Sequence, residues 1–575
     1  MGPTSRARGA DARARAFARR LPVILAEAAG LLVALAIAAV VVANVADSPR
    51  AFLLYYDGDS VLPALVRGSL AAGQPQDWAM STVLFLPELT VYLALSAVGL
   101  GVKAAFAAGA VVNLAALYAA LRYMESGTPH LPRARFAAGA GGHTLAAATH
   151  GLARRLPRIA ATLAAFAVFA GLALTETSAD RNALELASLL TTSTYYSATV
   201  IALVVIVGLV LRTLRGGGRR HRSAVTGALA AVTGFATLSN PIVIAWAVVP
   251  VVVVLGILGA ARIVRWESLG RALAGLASGV ASGLLLRIPL AHYITESASD
   301  AVRWGHAGES AAYYGALLAA RFATPAGAVE AAIVAGLVAT CAVVFVIALR
   351  RGGGMTAAGT RSELALVAGL GVIAPLGSIV GAILLGTLAA RYLQPVVAAP
   401  VLLIAALPAL GSARRHSTRR RVGRAGGAGA RALRVAVAAL ASVAAVAALG
   451  AGSGAVPRIV ASVRDADSSV RCVDDWVNQA GVRGAGTYWT VRAPKAYASD
   501  PRMLVQIDAD LNGYAWLVDR ADYPAGAISF LVIDAQSTIP HPLDLAPIRP
   551  PTISCGRYTI VDYRAHPLHL GPTHS

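Results

Sequence analysis

Charged residues are scarce in this 575-residue chain: they make up 14% of it against 57% hydrophobic residues, and mean hydropathy is +0.64. Soluble domains carry about 25% charge, so a soluble enzyme is excluded and repeated membrane crossings are implied. Lysine is nearly missing, Lys103 and Lys495 being the only two, so the net charge of +21 is an arginine excess. Three cysteines are too few for a disulfide scaffold or a cysteine-based zinc ribbon. No Walker or Rossmann-type glycine pattern stands at a strand–helix junction, so no nucleotide-sugar site is expected.

What is present is a series of apolar runs. After a basic tail (1–20, six arginines and one aspartate), Leu21–Ala46 is too long for a signal-peptide core. Further runs lie near 82–100, 103–121, 159–175, 195–212, 223–239, 241–262, 272–292, 329–349, 363–387, 392–410 and 435–455, twelve in all. The connectors sort by sign. Segments 1–20, 212–222, 262–271, 350–361 and 411–434 are basic, the last with eight arginines and no acid; 47–88, 176–185 and 296–309 are net acidic. The positive-inside rule assigns the first set to the cytoplasm and the second to the outside. The arginine clusters are thus read as orientation signals, and no nucleic acid is expected as a partner. A start inside and an end outside require an odd number of crossings. The conflict lies in 81–158, where either 136–153 crosses or one of two upstream runs is re-entrant.

From residue 457 the composition changes to 12 Asp, no Glu and 11 Lys+Arg. Strand-like runs at 487–491, 503–507, 514–518, 528–533 and 558–561 alternate with Gly, Pro and Asp turns, and 474–480 reads as a helix. The expected architecture is therefore a polytopic α-helical membrane protein with about 11–13 transmembrane helices over 21–456. It ends in an extracytoplasmic α+β domain, 457–575. Cys472 and Cys555 both fall in that domain and are placed to pair in an oxidising compartment.

The first outside loop (47–80) opens Tyr55-Tyr56-Asp57-Gly58-Asp59-Ser60. Two carboxylates separated by a glycine can share one cavity, and a carboxylate held against a low-dielectric slab suits a general base. The bland alternative is an acidic loop that only caps a helix. Residues 61–71 read as an interfacial helix, and Trp78 as an interfacial anchor. Downstream come Leu86-Pro87-Glu88-Leu89, with Gly99 near the end of that run, and Ala390-Arg391-Tyr392-Leu393-Gln394-Pro395. Arg287, inside an apolar run, calls for a partner. Arg303, Trp304 and His306 stand on the acidic, outer side. Tyr195-Tyr196 and Asn240-Pro241 lie at outer helix ends, the first offering sugar contacts, the second satisfying backbone freed where helices break.

This order of elements resembles the GT-C superfold of polyprenyl-phosphate-sugar-dependent glycosyltransferases, which includes protein O-mannosyltransferases and aminoarabinose transferases. The resemblance implies that Asp57 binds the acceptor and serves as base. Relatives carry Asp-Glu there; the one-residue displacement leaves the role of Asp59 open. It implies that Arg391 and Tyr392, with Pro395, hold the donor phosphate, with Arg303 or Arg287 assisting. It also implies inverting transfer from a polyprenyl-phosphate-linked sugar to an extracytoplasmic glycan, lipid or protein acceptor at the cell membrane, with a divalent cation at Asp57/Asp59 as an option. His306, Trp304, Tyr195 and Tyr196 are weaker substrate-binding candidates. Two other classes stay open: a transporter or flippase of a lipid-linked substrate, and a non-catalytic protein whose outer domain binds glycan or a partner. Tyr488-Trp489 and Tyr514-Ala515-Trp516 supply aromatics for the latter.

Overall fold

The computed structural model describes residues 3–126, 144–215, 218–295, 302–350, 358–408, 425–523, 526–539, 545–547 and 549–575. Among the described residues, eight helical stretches are long and apolar enough to cross a membrane: Leu21–Ala46, Val102–Glu125, Arg155–Leu174, Ser197–Arg215, Trp266–Tyr293, Pro325–Arg350, Arg361–Leu384 and Ala441–Ala480. This is a helical fold of the membrane type.

The shortfall from twelve runs has local causes. The run near 82–100 forms only Leu86–Ala97, 12 residues, or roughly 18 Å of helix against a hydrocarbon core of about 30 Å. Its start is fastened by the Leu86 amide to Ser239 Oγ (3.1 Å), and Leu84 N donates to Ser239 O (2.8 Å). Arg219–Ser239 is long enough but diluted by Ser, Thr and Gly. The run near 241–262 breaks after Asn240-Pro241 into a π-turn, Ile244–Val248, and the helix Val249–Ala260. Asn240 bridges that break: Nδ2 donates to Thr199 Oγ1 (2.9 Å), and Oδ1 accepts from the Ile242 amide (3.1 Å). The run near 392–410 is split into short turns around Pro395 and Pro400. Within 136–153, residues 136–143 lie outside the described residues, and the remainder begins the helix Thr144–Leu174.

Helices Arg219–Ser239 and Trp266–Arg287 approach at glycines. A Cβ on Gly283 would sit 2.5 Å from Gly234 O, and one on Gly279 2.7 Å from Ala230 O.

The C-terminal part holds a seven-stranded sheet. Its order is Gly571–His574, Asn512–Tyr514, Leu504–Ile507, Gly484–Thr487, Phe530–Ile533, Tyr558–Asp562 and Thr552–Cys555. Gly484–Thr487 runs parallel to both Leu504–Ile507 and Phe530–Ile533, while Tyr558–Asp562 is antiparallel to its two neighbours. Cys472 and Cys555 form a disulfide, joining helix Ser468–Ala480 to the edge strand. Of the expected strand 487–491, Thr487 ends the strand Gly484–Thr487, and 488–491 are instead the first turn of a helix, Tyr488–Tyr497. Despite its β-prone residues, this segment is the crossover of a parallel strand–helix–strand unit, which overrides propensity.

The first loop is gripped between this sheet and the helices. Trp78–Ala79 pairs antiparallel with Val518–Asp519, and Met80 bridges to Ile294. Trp78 is therefore a buried strand residue, not an interfacial anchor. Helix Leu62–Ala71 has Pro501 against Gly68, and its Ser69 Oγ donates to Asp519 Oδ2 (2.6 Å).

Candidate functional site

Residues 57–59 sit where the carboxyl ends of two parallel strands point. Tyr488 and Trp489 directly follow strand Gly484–Thr487; Asp534, Gln536 and Ser537 follow Phe530–Ile533. Those two strand ends are held together by Thr490 Oγ1, which donates to Asp534 Oδ1 (2.7 Å). In sheets with parallel strands this is the edge where ligand-binding loops gather.

Asp57 has no exposed surface. Its Oδ2 accepts from Arg181 Nε (2.8 Å), and its Oδ1 from the Tyr195 hydroxyl (2.8 Å) and the Asp59 amide (3.1 Å). Asp59 Oδ2 accepts from Arg391 Nη1 (2.6 Å) and Oδ1 from the Tyr488 hydroxyl (2.5 Å). Each acid thus has one arginine and one tyrosine. The Arg181 guanidinium carbon lies over Trp489, 3.5 Å from the ring centroid, and Arg181 donates to Gln536 Oε1 (2.8 Å). Arg492, fully buried, donates to Gly58 O (2.6 Å) and Leu517 O (2.6 Å). Gly58 is needed for space: a Cβ there would come within 3.0 Å of Trp489 and 3.3 Å of Tyr488. The expected tight turn matters less than this close approach.

The two carboxyls are driven apart electrostatically. Burial pushes Asp57 above the ordinary aspartate value, with the Asp59 charge adding to it and Arg181 and Tyr195 opposing. Burial also penalises Asp59, but Arg391 and Tyr488 outweigh it and hold that carboxyl below the ordinary value. Such splitting of neighbouring acids separates a proton-accepting group from a permanently charged one. Three of the four lone-pair directions of Asp57 are taken, leaving one on Oδ2.

An aromatic stack flanks Arg391. The rings of Phe85, Tyr196 and Tyr392 lie nearly parallel in sequence, centroids 6.3 and 6.2 Å apart, with Trp246 edge-on to Tyr196 at 5.8 Å. Phe85 and Tyr196 both hold left-handed backbone (φ 50° and 65°), a conformation costing about 1–3 kcal/mol in a bulky residue. The Arg391 guanidinium carbon is 5.4 and 5.8 Å from the Tyr195 and Tyr196 centroids.

Of the residues singled out in the sequence, Asp57, Asp59, Arg391, Tyr392, Tyr195 and Tyr196 come together. Four others do not join them. Arg287 does find partners, but they are the carbonyls of Leu238 and Thr82 (2.7 Å each), which fasten a helix end. Arg303 and His306 both pair with Glu309, at 2.8 and 3.1 Å, and Trp304 is 75% exposed. Sequence reading missed Arg181, Arg492 and Gln536. Arg181 carried the same signal as Arg391, a lone arginine among outer-side acids; Arg492 and Gln536 carried none. The donor set does not fit a divalent ion at Asp57/Asp59, because every carboxylate oxygen already accepts an N–H or O–H and two guanidiniums balance the charge. Among the described residues no group of three or more His, Cys, Asp or Glu side chains converges in metal-binding geometry.

No protein-family profile matches the chain, and no curated protein matches it significantly.

Proposed function

We propose that this protein is an integral membrane glycosyltransferase of the GT-C type, moving a sugar from a polyprenyl-phosphate donor to an acceptor on the outer face of the cell membrane. The observation that carries this reading is the split acid pair: Asp57 raised by burial and Asp59 locked to Arg391. In the proposed inverting step, Asp57 Oδ2 takes the proton of an acceptor hydroxyl as its oxygen attacks the anomeric carbon. The bond from that carbon to the donor phosphate oxygen breaks, and the leaving phosphate carries the electron pair. Arg391 stabilises the phosphate's negative charge by charge-assisted hydrogen bonds. Since Asp57 is fully buried, the acceptor reaches Oδ2 once a neighbour such as Arg181 withdraws.

Eleven crossings fit this reading. Lys103 Nζ donates to Asp465 O (2.7 Å) and lies 4.7 Å from the Tyr55 ring centroid, so the helix starting at Val102 begins on the side of Asp57. Leu86–Ala97, 12 residues long, packs alongside the first half of that helix and is too short to cross. The eight long helices, Arg219–Ser239, the broken 240–260 segment and the broken 390–408 segment make eleven, with the amino terminus cytoplasmic and the sheet outside.

A second reading draws on the complete pairing of both carboxylates: Asp57 and Asp59 would be a non-catalytic latch fastening the sheet onto the helices. Reconstituted protein given labelled polyprenyl-phosphate sugar and membrane acceptors separates the two. Donor consumption lost in Asp57→Asn with the assembly intact supports the transferase. Consumption unchanged in that variant sinks the base assignment, and no consumption by any protein leaves the latch.

A further inference from the structure

Helices Arg219–Ser239 and Trp266–Arg287 run parallel, and their contacts climb in step. Gly283 faces Gly234 and Thr237, Gly279 faces Ala230 and Thr233, and Gly275 faces Thr226 and Leu229. Each rung lies one helical turn before the last on both helices, so the next rung toward the helix starts sets Arg271 beside Arg222 and Val225. That end is remote from the acid pair. The opposite end leads into Asn240, which bonds Thr199 in the helix that begins just after Tyr195. At 21 residues the first helix spans roughly 30 Å. Its start therefore stands a bilayer core away, at the level that the arginine distribution assigns to the cytoplasm.

This end carries Arg219, Arg220, Arg222, Arg262, Arg265 and Arg271 against a single acid, the exposed Glu267. Among the described residues, none of these arginines is in an ion pair. The Arg222 side chain makes no hydrogen bond there, and that of Arg271 makes one, from Nη2 to Ser268 Oγ (3.0 Å); the Nε of each is buried without a partner. Exposed arginines such as Arg219 and Arg220 already satisfy the rule for membrane orientation. Nothing in that rule asks two half-buried guanidiniums to stand together between helices with no carboxylate to neutralise them. Left so, they repel, and buried charge without a counter-charge is costly. An anion held between them removes both defects.

The chemistry around the pair fits a phosphate carried by a lipid. Guanidinium groups match phosphate oxygens with paired N–H bonds. Both helices start here without a side-chain cap, after Gly218 and Arg265, so two positive dipole ends add to the arginines. Trp266 opens the second helix and is 70% exposed, as suits an aromatic residue at headgroup level. Basic pockets between membrane helices on the cytoplasmic side are where anionic headgroups bind. A free phosphate ion shares the charge but gains nothing from Trp266.

We infer that the adjoining starts of helices Arg219–Ser239 and Trp266–Arg287 bind the phosphate of an anionic phospholipid between Arg222 and Arg271. This site lies at the opposite end of the helices from Asp57 and Asp59 and rests on neither reading of that acid pair.

The test is native mass spectrometry of the full-length protein released from detergent, titrated separately with dioleoyl-phosphatidylglycerol, dioleoyl-phosphatidylcholine and inorganic phosphate. The wild type should bind phosphatidylglycerol about tenfold more tightly than phosphatidylcholine. Arg222→Gln/Arg271→Gln should abolish that preference. Arg219→Gln/Arg220→Gln, the same change of charge on exposed side chains, should keep it. Without anionic lipid, the first double variant should melt at the same or a higher temperature, because it relieves like-charge repulsion and breaks no ion pair; lost preference in it is then not unfolding. A lower melting temperature would mean that the protein itself neutralises the two arginines, and it overturns the proposal. Equal binding of the two lipids by the wild type also overturns it, as does equal loss in both double variants, which marks diffuse surface charge. Inorganic phosphate saturating the wild type at the same concentration as phosphatidylglycerol makes this a free-anion site and removes the lipid.

Discussion

Two layers of buried ion pairs sit at opposite ends of helix Val102–Ser126. Near its start, Asp57 meets Arg181 and Asp59 meets Arg391. Near its end, about 30 Å away along the axis, Arg122 pairs with Glu27 (2.6 Å) and with Glu125, Arg158 with Glu125 (3.2 Å), and Arg215 with Glu363 (2.6 Å). Both layers bury charge, so buried ion pairing alone marks neither as a site. The far layer joins side chains on long helices that already pack against one another. The near layer gathers two acids of one loop with groups from segments 181–195, 391 and 488–492, and adds two phenols. Two acids two residues apart in one loop, each with its own arginine and its own phenol, are what the far layer lacks.

The comparison breaks most readily at Asp57. Asp57→Asn keeps the shape and most hydrogen bonds, so the protein should still fold, while transfer falls about 10²–10⁴-fold, the range for losing a general base. In wild type, the rate should drop as pH falls through a value above the ordinary 3.8 of aspartate, because a raised carboxyl protonates early. Asp59 works the other way: its folded value is depressed, so its contribution to stability is complete above 3.8 and lost as pH falls through the lower folded value. Activity should therefore fail at a higher pH than the Asp59–Arg391 pair, which paired rate and melting profiles would check.

Arg391→Ala strands the Asp59 carboxylate and should destabilise the protein by about 3–5 kcal/mol, with a raised donor KM in whatever remains folded. Chemical unfolding in detergent and donor titration measure the two. In the far layer, Glu125→Gln should cost about 2–3 kcal/mol, since Arg122 keeps Glu27 while Arg158 loses its carboxylate, and should leave kcat unchanged. A large kcat loss there would erase the contrast between the layers. Tyr488→Phe, which removes one hydrogen bond to the Asp59 carboxylate, should cost about 1.5 kcal/mol and lower transfer only modestly.

Much of this was legible from local signals. Apolar runs identified the long helices, Asp57-Gly58-Asp59 stood out by its place directly after the first helix more than by its spacing, and Arg391 stood out as a cation on an acidic face. Arg287 and Arg303 carried that same signal and led elsewhere, because an arginine at a helix end is equally well served by carbonyls or by a nearby glutamate. Length also misled: 82–100 is apolar enough to cross, yet Pro87 at its start and the turn at Gly99 (φ 92°) limit the helix to 12 residues.

The sequence by itself determined that the chain lives in a membrane, where its helices run and which loop holds the acids, because hydropathy and charge act through residues close together in the chain. Only the tertiary structure decided which arginines and tyrosines face those acids. Arg181, Tyr195, Arg391, Tyr488 and Arg492 are separated from residues 57–59 by more than a hundred positions, and no periodicity relates them. Packing among the helices brought Arg181, Tyr195 and Arg391 to the first loop, packing of the C-terminal domain added Tyr488 and Arg492, and with them came the burial that separates the two carboxyls.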